Sequence, residues 1–139
     1  MSNHIAVIGS TNVDFLIRSE KIPVPGETVT GGEFMQVFGG KGANQAVGAA
    51  RAGGRVGFVT CLGDDLYAEA LIRSFQEDGV ETRFVFREPG TATGSALIMI
   101  DRKGQNSISV APGANFRMEP RHLEIASELI LGSQLVLLQ

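Results

Sequence analysis

The 139-residue sequence is poor in features that several classes of protein require. It has one cysteine, Cys61, which leaves no partner for a disulfide and no thiolate metal cluster, so we expect a reducing, cytoplasmic compartment. Lysine and arginine form no cluster and the formal charge is −3, which argues against a nucleic-acid partner. No apolar run is long enough to cross a bilayer, and residues 1–25 lack a secretory signal pattern, so no membrane partner is expected.

Glycine, by contrast, is abundant, with 18 residues that gather in clusters. The pairs at 31–32 and 53–54 are interpreted as tight turns. The cluster at 39–42 carries more weight, because it precedes a helix-forming stretch and glycines let the backbone approach a ligand closely. Hydrophobic residues make up 43% of the chain, which is sufficient for the core of one domain across residues 1–139.

Short apolar runs alternate with helix-forming segments along the chain. Buried strands are predicted at 4–9, 55–62, 81–86 and 134–138. Helices are predicted at 42–52, 66–78 and 119–131. This alternation predicts an α/β fold, Rossmann-like, with a mostly parallel sheet and helices on both faces.

Some extended segments do not fit that alternation. They lie at 13–18, 27–38, 94–100 and 107–111, and the segment 27–38 is predicted to contain one or two strands. Their imperfect polar and apolar alternation suits a small sheet with one wet face, so we expect a separate small sheet built from about 13–38 and 94–111. The chain also stops within an apolar strand, where a domain rarely ends. We therefore expect it to be the truncated, amino-terminal part of one α/β domain.

The first candidate site is the segment G-S-T-N-V-D at residues 9–14, directly after a predicted strand. Open α/β sheets bind ligands at the carboxyl ends of their strands. Asn12 and Asp14 alternate around Val13, so in an extended chain their side chains point the same way. An amide beside a carboxylate suits the hydroxyls of a polyol, which each donate and accept. Taken alone, however, this segment favours a polar turn in which Asp14 makes a local cap.

The second candidate site is the segment F-G-G-K-G-A-N at residues 38–44. The helix that follows offers free amide groups and a positive end, and Lys41 and Asn44 add donors. A Walker A loop would need Ser or Thr after the lysine, where Gly42 stands, and the dinucleotide spacing G-x-G-x-x-G is also missing. A neutral, hydroxyl-rich ligand fits these residues better than a nucleotide does.

The remaining reactive side chains suggest structural roles. Cys61 lies in an apolar strand and is expected in the core. His4 and His122 are isolated, without the spacing of a metal site. The pair Asp64-Asp65 could bind a metal, but a turn that caps the following helix suits it better. No metal site is therefore predicted in the chain.

These motifs resemble the ribokinase-like carbohydrate kinase family, also called PfkB, along the whole chain. The resemblance is carried by G-S-T-N-V-D (9–14), P-G-E-T-V (25–29), F-G-G-K-G-A-N-Q-A-V (38–47), G-D-D (63–65), T-G-S-A-L-I (93–98) and A-P-G-A-N (111–115). The run at 38–47 is closer to the ribokinases of this family than to its fructokinases or adenosine kinases. Ala68 departs from the glycine that usually follows the G-D-D motif.

The resemblance implies an enzyme that phosphorylates ribose, or a close pentose, at the 5-hydroxyl. It implies that the sugar hydroxyls bind to Asn12, Asp14, Gly40, Lys41 and Asn44. It also implies an apolar wall of the sugar pocket, on a small sheet that acts as a lid, formed by Ala96, Ile98 and Val110. The lid of this family supplies a dimer interface as well, so a homodimer is expected.

The resemblance further implies that part of the active site lies elsewhere. The family's second glycine-rich signature, with the catalytic base and the anion hole, would fall beyond Gln139, as would an acidic sugar-contacting residue. We therefore predict no catalytic residue among residues 1–139 and no kinase activity for this chain alone. ATP and Mg²⁺ are the expected cofactors, bound mainly outside the chain, with a monovalent cation as a further candidate.

Three alternatives to a sugar kinase stay open on the sequence. They are a sugar-binding module without catalysis, a nucleoside kinase of the same family, and an α/β domain that serves only for dimerisation. The preferred pentose is open too, because a small difference between substrates in a pocket is worth only about 1–3 kcal/mol.

Overall fold

The computed structural model describes residues 4–139, which form β-strands, α-helices and one 3₁₀ helix. The strands are β1 (His4–Ile8), β2 (Asn12–Arg18), β3 (Glu33–Gly39), β4 (Arg55–Gly63), β5 (Val85–Glu88), β6 (Gly94–Ile100), β7 (Asn106–Ala111) and β8 (Leu135–Leu138). The helices are α1 (Lys41–Arg51), α2 (Ala68–Glu77), α3 (Pro120–Ile125), α4 (Ser127–Gly132) and the 3₁₀ helix Gly113–Arg117. None of the helices within residues 4–139 has the length and apolar character needed to cross a membrane.

The main sheet is parallel throughout, with strand order β5-β4-β1-β8. Successive residues of a strand face opposite sides, so each side of this sheet has its own core. Val7 and Phe58 pack with α1 and α2 on one side. Ala6 and Val59 pack with Leu129 of α4 on the other. The prediction of a mostly parallel sheet with helices on both faces is therefore confirmed.

The second sheet has strand order β3-β2-β6-β7. Its inner pair, β2 and β6, is parallel, whereas β3 and β7 each run antiparallel to their neighbour. Only residues 9–11 separate β1 from β2, and α1 follows β3 almost directly. The second sheet is thus attached at the carboxyl end of β1, and the predicted small, separate sheet is confirmed.

Two elements differ from their predictions in the second half of the chain. The strand predicted at 81–86 forms only from Val85, because a turn closed by the Val85 N–H and the Thr82 carbonyl comes first. The helix predicted at 119–131 is two short helices. The backbone at Ala126 has a ψ of 3°, far from the value of about −42° that continues an α-helix.

Two earlier elements are shorter than predicted. The segment 27–38 contains a single strand, β3, because Gly26 and Gly31 have φ angles of +83° and +86° and turn the chain out of the extended region. The helix predicted at 66–78 begins at Ala68. Leu66 therefore does not belong to the apolar face of that helix, and its side chain is exposed.

Candidate functional site

A cleft of about 560 Å³ opens between the second sheet and the amino-terminal end of α1. The residues predicted for the sugar site all line it, namely Asn12, Asp14, Gly40, Lys41, Asn44, Ala96, Ile98 and Val110. They come from β2, β6, β7 and the start of α1, which are far apart in the sequence. The fold thus brings both candidate segments and the apolar residues to one place.

The polar wall of the cleft begins on β2. Asn12 and Asp14 lie on the same face of this strand, as their alternation predicts. Asp14, expected at the rim, is half-buried, and its Oδ1 is fully covered yet accepts no hydrogen bond within residues 4–139. Burial raises the pKa of the Asp14 carboxyl above its ordinary value. A buried carboxylate oxygen without a donor is costly, so a ligand that supplies an O–H would stabilise it.

The start of α1 supplies the remaining polar side chains. Lys41 and Asn44 are exposed and three residues apart, which makes them neighbours on one face of the helix. The N–H of Ala43 already donates to the Ser10 carbonyl (3.0 Å), and the N–H of Asn44 donates to the Gly40 carbonyl (2.9 Å). Two of the first four amides of α1 are therefore already used, and the side chains of Lys41 and Asn44 add donors to the cleft.

Gly40 joins β3 to α1, and its position requires glycine for two reasons. Its φ is +96°, a conformation that residues with a side chain rarely adopt. A Cβ here would also lie 2.6 Å from the Ser10 carbonyl oxygen and 2.8 Å from the Thr11 Cα. Gly40 therefore lets the loop before α1 contact the loop before β2, so that Lys41 and Asn12 can share one cleft.

Gly40→Ala is expected to lower the free energy of unfolding by about 2–4 kcal/mol, because backbone strain and a clash with backbone atoms add. Gly48→Ala is the matched control. Gly48 lies within α1, and an added Cβ would meet no neighbouring atom, so the change should stabilise the helix by up to about 1 kcal/mol. Urea unfolding measures both variants, and equal stabilities would contradict the constraint on Gly40.

The second sheet also contributes an apolar surface to the cleft, next to the polar residues of β2. Ala96 pairs with Asp14 on one side and with Val110 on the other, so the three residues form one row across β2, β6 and β7. Ile98 lies in the next row on the same face. Ala96 is buried, whereas Val110 is 55% exposed. The cleft therefore combines this apolar surface with the donors of α1.

The cleft also contains residues that the sequence did not identify, namely Ser10, Ile108, Pro112, Asn115, Phe116 and Gln139. Ile108 could have been found, because it lies two residues from Val110 and so faces the same side of β7. Asn115 belongs to the A-P-G-A-N motif, but the motif does not reveal which atoms its side chain bonds. Phe116 is exposed, and no pattern in the sequence marks it.

The turn at Asp64-Asp65 does not supply the predicted side-chain cap of α2. Asp65 accepts the N–H of Tyr67 at 3.1 Å, but it also accepts the N–H (2.6 Å) and the hydroxyl (3.0 Å) of Thr93. Thr93 directly precedes β6, and α2 itself has no side-chain cap. Asp65 therefore ties the loop before α2 to the second sheet.

His122, predicted to be isolated, is part of a buried cluster with Glu88 and Cys61, whose ligand atoms lie within 4.8 Å of one another. Its Nε2 lies 2.8 Å from a Glu88 carboxylate oxygen, and its Nδ1 accepts the Glu119 N–H at 2.9 Å. Because Nδ1 is an acceptor, the proton of the neutral ring lies on Nε2, which leaves no lone pair for a metal.

The thiol of the same cluster is also poorly suited to bind a metal. Cys61 is almost fully buried, and desolvation raises its pKa to about 11. Thiolate, the form that binds metals, is therefore scarce at neutral pH. We interpret the cluster as a structural link between β5, which ends at Glu88, and α3, which carries His122.

The residues that line the cleft carry no recognisable motif for a triphosphate or Mg²⁺. Asp14 is the only acidic side chain among the described residues that line it. Gly42 occupies the position where a Walker A loop holds the metal. The first turn of α1 has also committed the Ala43 and Asn44 amides to carbonyl oxygens.

Comparison with known proteins gives the family. Residues 2–138 match the sequence pattern of the pfkB family carbohydrate kinase. The chain belongs to this family. The pfkB-family chain is 43% identical over 136 residues to the ribokinase of Bacillus subtilis (strain 168), with 98% of the chain and 46% of that protein covered. It is 39% identical over 135 residues to the deoxyribokinase of Salmonella typhi, with 97% and 44% covered.

Solved structures agree with the sequence comparison. The Arabidopsis thaliana ribokinase complexed with ribose and ATP superposes with a TM-score of 0.83 at 32% identity, covering 100% of this pfkB-family chain and 46% of that one. The predicted ribokinase-like fold is thereby confirmed. The chain spans less than half the length of each of these relatives.

Proposed function

We propose that this chain is the sugar-binding part of a kinase that phosphorylates ribose, or a close pentose, at the 5-hydroxyl with ATP. The observation that carries the proposal is the cleft, in which polar side chains from β2 and α1 lie beside apolar side chains from β6 and β7. A sugar has matching surfaces, with hydroxyls at its edge and C–H groups on its faces. A ribokinase and a deoxyribokinase among the relatives favour a pentose.

The polar side chains of the cleft complement one another as sugar ligands. The Asp14 carboxylate only accepts hydrogen bonds, the Lys41 ammonium only donates them, and the amides of Asn12 and Asn44 do both. A hydroxyl between Asp14 and one of these donors can satisfy both at once. Asp14 supports the proposal most strongly, because its buried Oδ1 has no donor within residues 4–139.

We place ATP, Mg²⁺ and the residue that takes the proton from the 5-hydroxyl outside residues 4–139. The cleft has no Walker A motif, and Asp14 is the only carboxylate among the described residues that line it, which supports this placement. The Arabidopsis relative is complexed with both ribose and ATP. In this proposal the present chain binds and orients the acceptor sugar, and the second sheet closes over it as a lid.

The full-length protein tests the proposed reaction. With ribose, Mg²⁺ and ATP, we expect ribose 5-phosphate and ADP in equal amounts. 2-Deoxyribose and adenosine serve as parallel acceptors at the same concentrations. Faster turnover of adenosine would favour a nucleoside kinase, and ribose binding without any product would favour a sugar-binding module.

We also propose that a second copy covers the face of the second sheet that points away from the cleft. Ile17, Phe34 and Leu97 lie together on this face, and all three are exposed. The outer strand β7 has no further neighbour within residues 4–139, and exposed sheet edges favour pairing between chains. Closed two-fold pairs are the commonest way in which soluble proteins cover such surfaces.

The full-length protein is therefore expected to sediment as a dimer at micromolar concentration. Leu97→Glu should shift it toward monomer, because a charge would be buried in the apolar contact. Glu69→Ala, which changes an exposed side chain of α2, serves as the control and should leave the dimer intact. Sedimentation velocity measures all three proteins, and a wild-type monomer would contradict the proposal.

A further inference from the structure

Asn115 lies in the 3₁₀ helix after β7, and its side chain bonds the segment that begins β2. Its Oδ1 accepts the N–H of Thr11 at 2.8 Å. Its Nδ2 donates to the Thr11 carbonyl oxygen at 3.1 Å and to the Asn12 Oδ1 at 2.9 Å. The Asn115 side chain thus holds both the backbone of Thr11 and the side-chain amide of Asn12, where the polar wall of the cleft begins.

These bonds determine which way the Asn12 amide faces. A backbone N–H can only donate, so the Asn115 atom that faces the Thr11 N–H must be the oxygen. The Asn115 nitrogen then faces Asn12, and the Asn12 atom that meets it must be the acceptor, Oδ1. The Asn12 Nδ2 points the other way and makes no hydrogen bond within residues 4–139. It is the atom that Asn12 leaves available to a ligand.

Gly94 provides independent support for this arrangement. It pairs with Asn12 across β2 and β6. A Cβ at Gly94 would lie 2.2 Å from the Asn115 Nδ2 and 2.4 Å from the Asn12 Oδ1. The space that a side chain at position 94 would fill is therefore occupied by the bond between the two amides, so a residue larger than glycine would break it.

We propose that Asn115 is a positioning residue that holds the Asn12 amide with its nitrogen toward the sugar. The inference rests on the proposed function. Asp14, on the same face of β2, only accepts hydrogen bonds. A sugar hydroxyl that gives its one proton to Asp14 can only accept from a second neighbour. Asn12 must then offer Nδ2 to this hydroxyl. Its Oδ1 is an acceptor and would be repelled by the lone pairs of the hydroxyl oxygen.

The test uses Asn115→Asp in the full-length protein. An aspartate keeps the acceptor for the Thr11 N–H but cannot donate to Asn12 when ionised. The Asn12 amide is then expected to rotate and donate to it, which turns Oδ1 toward the cleft. We expect the Kd for ribose, measured by calorimetry, to rise about tenfold, with the KM for ribose rising more than kcat falls. Gln76→Glu is the control, since it removes an exposed amide donor to Thr82 away from the cleft (3.0 Å).

A double-mutant cycle separates positioning from a general structural role. If Asn115 acts through Asn12, adding Asn115→Asp to Asn12→Ala should change the ribose Kd by less than about twofold. If the double variant instead raises the ribose Kd by the product of the two single-variant fold-changes, the inference is overturned. Gly94→Ala should break the same bond from β6 and reproduce the loss of affinity for ribose. The test therefore does not depend on whether a single variant folds.

The same measurements distinguish this inference from the proposed function. Unchanged ribose binding in Asn115→Asp and Gly94→Ala, with weaker binding in Asn12→Ala and Asp14→Ala, would overturn the positioning role and leave the sugar site standing. Unchanged ribose binding in all four variants would instead overturn the sugar site itself.

Discussion

Asp14→Ala in the full-length protein is expected to weaken ribose binding about tenfold to a hundredfold. Hydrogen bonds to a charged group contribute about 1.5–3 kcal/mol, and every 1.4 kcal/mol corresponds to about a factor of ten in affinity. The Asp14 Oδ1 has no donor of its own within residues 4–139, so the sugar does not have to displace a competing protein contact. Calorimetry with ribose measures the loss, and unchanged affinity would remove Asp14 from the site.

Two further variants make this result specific. Asp14→Asn keeps the shape of the side chain but removes the charge, so it should lose affinity as well. Glu128→Ala removes a carboxylate that is 80% exposed on α4 and should bind ribose like the wild type. Equal losses in Asp14→Ala and Glu128→Ala would indicate a general change of charge rather than a contact.

The pH dependence follows from the same carboxylate. Burial raises the Asp14 pKa in the folded protein. Above that pKa the buried charge lowers the free energy of unfolding, and this loss of stability decreases as the pH falls below the raised pKa and Asp14 becomes protonated. Asp14→Ala should therefore be at least as stable as the wild type at neutral pH. Ribose affinity of the wild type should fall on acidification through the raised pKa, whereas that of Asp14→Asn should not change.

The parts of the site that the sequence predicts correctly are those that depend on local geometry. Asn12 and Asp14 share a side because the side-chain period of a strand is two residues. Lys41 and Asn44 share a helix face because three residues make nearly one turn. Neither relation depends on the rest of the fold, so the pattern alone places each pair.

The contacts that escape sequence analysis join residues far apart in the chain. Asn115 reaches Asn12 across 103 positions, and His122 reaches Glu88 across 34. Nothing in either local pattern indicates the partner, since both depend on how β7 and α3 pack. The helix break at Ala126 is similar, because helix-forming residues continue on both sides of it and the local sequence favours one uninterrupted helix.

The 139-residue chain alone is expected to show no kinase activity. Phosphoryl transfer depends on holding the nucleotide and on stabilising charge on the moving group. The described residues contribute Asn12, Asp14, Lys41 and Asn44, which suit the acceptor sugar. At the start of α1 the amides of Ala43 and Asn44 already bond carbonyl oxygens, and Gly42 stands where a Walker A loop has Ser or Thr.

In the proposed reaction Asp14 does not act as the base. It is the only described carboxylate at the cleft, and we expect a carboxylate that binds one end of the sugar not to reach the 5-hydroxyl at the other end. The test incubates the purified chain, shown to be folded by circular dichroism, with ribose, Mg²⁺ and ATP. The matched control is the same chain with Asp14→Ala. Turnover present in both preparations comes from a contaminating kinase. Turnover that disappears with Asp14→Ala belongs to the chain, and would show that residues 1–139 already contain the groups that bind ATP and activate the hydroxyl.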